Sequence, residues 1–103
     1  MFVASIFARI LHRLFAPKKK TAEQVDAIFR ERMQEYSLEH SVTLDPDSIV
    51  DAMKALGLDP SLEARRDLWN EFRLDGEFTG AADQNRKLMA ELREQVALGD
   101  FAR

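Results

Sequence analysis

The sequence predicts an all-α protein: a compact four-helix domain with an additional amphipathic N-terminal helix and no sheet. Three observations lead there. Apolar residues recur at helical spacing in each long segment, and no stretch alternates with period two. Helix-start and helix-stop signals fall between those segments. Finally, 103 residues that are 46% hydrophobic and 32% charged are too apolar for a disordered chain and suit one small domain with an appendage.

The first element is the segment 1–16. Phe2, Val3, Ile6, Phe7, Ile10, Leu11, Leu14 and Phe15 come as adjacent pairs every four residues. At 100° per residue they cover roughly 220° of a helix and leave Ser5, Arg9, His12 and Arg13 on a narrow polar strip. Pro17 ends the helix. Lys18, Lys19 and Lys20 follow, so 17–20 is a basic Pro/Lys linker to an acidic helical-bundle domain over 21–103. The segment falls short of the roughly twenty apolar residues that span a bilayer. Its arginines interrupt the apolar region and no small-x-small site follows, which argues against a secretory signal.

The bundle begins at Thr21-Ala22-Glu23-Gln24, a capping box. Val25, Ile28, Phe29, Met33 and Tyr36 then mark a helix from about 22 to 38. Leu44-Asp45-Pro46 and Leu58-Asp59-Pro60 each place an Asp as N-cap and a Pro at the first helical position. After Asp45, the residues Ile49, Val50, Met53 and Leu56 form a stripe. Gly57 supplies a left-handed stop, with Leu58 packing back on Met53. After Asp59 come Leu62, Leu68, Trp69 and Phe72 as one face, so two short helices turn sharply against each other. Leu74 to Gly80 is a loop by its glycines. A last helix runs from about Ala81 to Leu98, with Leu88, Met89, Leu92 and Val96 on one face and Gly99 as its stop.

Charge is divided along the chain. The first 20 residues hold Arg9, Arg13, Lys18, Lys19 and Lys20 and no acid, giving +5; the other 83 hold 10 basic and 18 acidic residues, giving −8. An acidic body disfavours phosphate contacts, and a helix-turn-helix reader would present Glu63, Asp67 and Glu71 to DNA. With no cysteine, disulfides and thiolate chemistry are excluded.

No residue set reads as catalytic. His12 and His40 are far apart, and each is expected at the surface. Asp75, Glu77, Thr79, Gly80 and Asp83 imitate part of a calcium loop, yet Arg86 stands where its bidentate Glu belongs. Asp45 and Asp47 suit a helix N-terminus, where they complement the dipole. Arg65 and Arg66 are expected on a solvated face beside Glu63, Asp67 and Asp59. There is no phosphate loop, nucleophile elbow or Ser/His/Asp set, so neither an enzyme nor a metal or cofactor is expected.

The run Ser48-Ile49-Val50-Asp51-Ala52-Met53-Lys54-Ala55-Leu56-Gly57-Leu58-Asp59, continuing Ser61-Leu62-Glu63-Ala64-Arg65-Arg66, resembles the domain of unknown function 3597 family. These are small helical bacterial proteins without an assigned activity. Phe78-Thr79-Gly80 resembles the aromatic-Thr-Gly before that family's last helix, and Ser5-Ile6-Phe7 its Ser-Ile-Phe opening. The chain departs from the family pattern in its short linker, Ala16 to Lys20, and in lacking Trp-Leu-His near Lys87-Leu88-Met89. The resemblance implies a helical fold and a bacterial source, and no reaction; the absence of cysteine fits a reducing, cytoplasmic compartment.

Three destinations suit the first helix: the bundle core or a homo-oligomer interface, an anionic membrane surface, or a groove on a partner protein. Three consecutive lysines favour the latter two, since a core helix does not require them. The sequence therefore suggests a non-catalytic interaction or adaptor module, attached to the inner-membrane surface or to a protein through Phe2 to Phe15 and Lys18 to Lys20. The competing expectation is a free soluble regulator, less favourably one associated with nucleic acid through its basic end.

Overall fold

The computed structural model describes residues 19–99 and 101. They form four helices, α1 (Ala22–His40), α2 (Ile49–Ala55), α3 (Leu62–Glu71) and α4 (Ala82–Ala97), and no strand occurs among them. The all-α expectation holds. The expected N-terminal helix and its attachment residues up to Lys18 lie outside the described residues.

α1 starts on the expected capping box. The Gln24 amide donates to Thr21 Oγ1 (3.2 Å) and the Thr21 amide to Gln24 Oε1 (2.9 Å). Val25, Phe29 and Met33, one face at four-residue spacing, are buried. The helix runs two residues past the expected end and stops where Ser41 adopts φ +56.

Neither Asp-Pro pair starts a helix as expected. Asp45 Oδ1 accepts from the Asp47 amide (2.9 Å), and the Asp45 carbonyl accepts from the Ser48 amide (3.1 Å). The carboxylate is thus committed to a turn, and Ser48 is the N-cap, its hydroxyl accepting from the Asp51 amide (3.2 Å). Asp59 Oδ1 likewise accepts from the Ser61 amide (3.0 Å), and Ser61 caps α3 through the Ala64 amide (3.1 Å). A residue before Pro avoids the helical region, and Asp bonds its own backbone two residues on. Together these move each start to the next Ser. Asp45 and Asp47 precede the helix, and Asp51 is the acid of its first turn.

The corner between α2 and α3 forms as expected. Gly57, at φ +76, donates to the Lys54 carbonyl (3.0 Å), and the Leu58 amide reaches the Met53 carbonyl (2.8 Å). This pair of bonds is the Schellman motif.

α2 packs on α1 and α4, and α3 packs on α4. Leu88, Leu92 and Val96 of α4 are fully buried at the centre, with Ala52 and Met53 of α2. Trp69, 1% exposed, is the deepest residue of α3; its indole N–H donates to the Gly76 carbonyl (3.0 Å). Phe78 enters the core from the loop and packs against Trp69, with ring centroids 5.4 Å apart. Leu62 departs from the core face predicted for it. It is the first residue of α3, 43% exposed, and its Cδ1 lies over the Gly80 backbone instead.

Candidate interaction surface

Of the residues expected to attach the protein, Lys19 and Lys20 are described, and both lie against the bundle. The Lys20 amide donates to the Ala97 carbonyl (2.9 Å), filling one of the open acceptors at the end of α4. The Lys19 ammonium pairs with the Glu94 carboxylate. A cation there also suits the negative end of the helix dipole. The last two linker residues are therefore part of the domain surface, and of these two described lysines Lys19 has an intramolecular ion-pair partner.

From that entry point a shallow trough follows the seam between α1 and α4. Its first hollow is walled by Lys19, Lys20, Ala90 and Glu94, its second by Asp26, Arg30, Leu44 and Pro46, and its third by Pro46, Asp47, Arg86 and Met89. Arg93 borders all three. Helical spacing explains the arrangement: Arg86, Met89, Ala90, Arg93 and Ala97 share one stripe of α4, and Ala22, Asp26, Phe29 and Met33 share one stripe of α1. Arg93 bridges the stripes, its guanidinium ion-paired with Asp26 and 5.1 Å from the Phe29 ring centroid. Sequence reading missed this pair, whose partners are 67 residues apart.

Other candidates have structural duties. Arg65 Nη1 donates to Asn85 Oδ1 (2.9 Å) and its Nε to the Pro60 carbonyl (3.2 Å), with the guanidinium 5.9 Å from the Phe78 ring centroid. Arg66 Nε donates to the Phe78 carbonyl (3.4 Å). The half-buried Arg65 thus ties α3 to α4, whereas Arg66 is exposed, as expected, beside exposed Glu63 and Asp67, and reaches the loop only at the Phe78 carbonyl. The stretch Asp75 to Asp83 is organised by Gln84. Its Oε1 accepts from the Thr79 amide (2.8 Å), and its Nε2 donates to the Glu77 carbonyl (2.8 Å). His40 is exposed and stacks on Tyr36, with centroids 3.9 Å apart; His12 is outside the described residues. Gln95 is buried, its Nε2 donating to Glu91 Oε2 (2.8 Å) while Oε1 has no partner.

Among the described residues no group of three or more His, Cys, Asp or Glu side chains is placed to hold a metal ion. Nor is any described helix long and apolar enough to cross a membrane. The arrangement presents charge across a seam of two rigid helices.

Residues 8–99 match the model of a family described as a domain of unknown function (DUF3597). No curated protein and no solved structure matches the chain.

Proposed function

We propose a non-catalytic role for this chain, which belongs to the DUF3597 family of unknown function: a small interaction module attached through its N-terminal segment to a membrane surface or a partner protein. One observation carries the reading. The Lys20–Ala97 hydrogen bond and the Lys19–Glu94 pair fix where the chain enters the bundle. Lys19 and Lys20 therefore join the bundle at a defined point at the end of α4. A cationic apolar segment joined at a fixed point to an acidic helical bundle suits a tether carrying a displayed domain.

The test is binding by the full chain and by an Ile6→Asp, Ile10→Asp variant, with phosphatidylcholine–phosphatidylserine vesicles as the membrane probe. Insertion of the apolar face predicts that the variant loses vesicle binding and keeps its helical melt. Wild-type binding should persist at moderate salt, where phosphate-only attraction would collapse. A variant whose bundle melts would instead assign the segment to the core and leave a free soluble regulator as the reading.

A further inference from the structure

The described surface is electrically two-sided. Five of its eleven basic residues, Lys19, Lys20, Arg30, Arg86 and Arg93, line the α1–α4 seam, against three of its seventeen acidic ones, Asp26, Asp47 and Glu94. The seam is thus +2, and the rest of the described domain holds six basic and fourteen acidic residues, or −8. Asp26 and Glu94 are already engaged by Arg93 and Lys19. Arg30 and Arg86 are exposed and have no ion-pair partner among the described residues. This net-basic seam, in a set of described residues that is otherwise acidic, begins at Lys19 and Lys20.

We propose that the α1–α4 seam is a second contact surface, one that lays the bundle against the anionic lipid into which the N-terminal segment inserts. This rests on the membrane form of the attachment reading. Three features favour lipid headgroups as the occupant. The seam is continuous with the entry point at Lys19 and Lys20, so a tethered bundle presents it to the surface without a long linker. From Ala22 to Met33 it extends about 16 Å along α1, enough to set several cations on one plane. Its floor is closed: Val25, Phe29 and Met33 are at most 8% exposed. The hollows are shallow, and Lys19, Lys20, Arg30 and Arg86 stand at their walls, where headgroup phosphates and carboxylates can reach them. The acidic remainder, repelled by the same surface, turns outward, so the two signs orient the module together.

The full chain lacks cysteine, which permits single labels at Ala90→Cys in the seam and at Asn70→Cys on the exposed side of α3. On phosphatidylcholine–phosphatidylserine vesicles, headgroup-borne quenchers should darken the label at residue 90 and spare that at residue 70. An Arg30→Gln, Arg86→Gln variant with an unchanged circular-dichroism melt should bind these vesicles about tenfold more weakly. That difference should shrink with added salt and on phosphatidylcholine alone. If the wild type binds but the variant binds equally and both labels are quenched alike, the seam has no orienting role and the tether reading survives. A wild type that ignores the vesicles overturns membrane attachment and this inference together. Loss of polyglutamate binding by the variant, with vesicle binding untouched, would assign the seam to an acidic protein and overturn the lipid surface.

Discussion

At Gly57 the backbone takes φ +76, and both hydrogen bonds that close α2 depend on it. A Cβ placed there meets nothing within 4 Å, so the cost of a side chain is one of backbone conformation alone. Gly57→Ala should therefore destabilise the bundle by about 1 kcal/mol in a denaturant melt. No change would reject the left-handed stop as a stability determinant. This residue was legible from sequence because its signal is local: an apolar stripe, a glycine, then an apolar residue that folds back. The Trp69 position was legible too, by spacing from Phe72. Leu62 was not, since its spacing relative to Trp69 is equally helical. Its place at the first turn, set by the Ser61 cap, sends it over Gly80 instead of inward.

Among the elements, the helix ends show how far local signals reach. Thr21 and Gln24 satisfy each other three residues apart, and the box was readable as written. The Asp-Pro starts were misread because the Asp carboxylates bond amides two residues on, before the helix begins, leaving the caps to Ser48 and Ser61. Gln84 escaped notice for another reason. The N-cap of α4 is Ala81, which has no hydroxyl to complete a box; Gln84 Oε1 accepts from its amide only at 3.4 Å, and the closer Gln84 partners lie five and seven residues upstream at Thr79 and Glu77. That one amide holds the loop delivering Phe78 to the core. Gln84→Ala should cost about 1–2 kcal/mol, at 0.5–1.5 kcal/mol per net hydrogen bond. Lys87→Ala, an exposed change on the same helix, should stay within about 0.5 kcal/mol. Equal effects of the two in a thermal melt would show that the loop holds without its amide clamp.

For the whole molecule the decisive contacts join the beginning and end of the described domain. Lys19 meets Glu94 and Asp26 meets Arg93 across separations of 75 and 67 residues, beyond any spacing rule. Summed charge was legible; its sorting onto one seam required the packed helices. The same contacts define where the domain begins. A chain shortened to start at Thr21 keeps the capping box and the described core stripes, yet loses the Lys20–Ala97 hydrogen bond and the Lys19–Glu94 pair. One starting at Pro17 keeps both. With both N-termini acetylated, so that no terminal charge faces the α1 dipole, the longer form should be more stable by about 1 kcal/mol. The hydrogen bond contributes about 0.5–1.5 kcal/mol and the exposed pair less than about 1 kcal/mol. For a domain this small that is a melting difference of about 4–8 °C. Both forms should retain cooperative, helical unfolding, because the tether reading places residues 2–15 outside the folding unit. If both lose it while the full chain melts cooperatively, those residues complete the core. Their apolar face is then spent within the molecule, and membrane or partner must be engaged some other way.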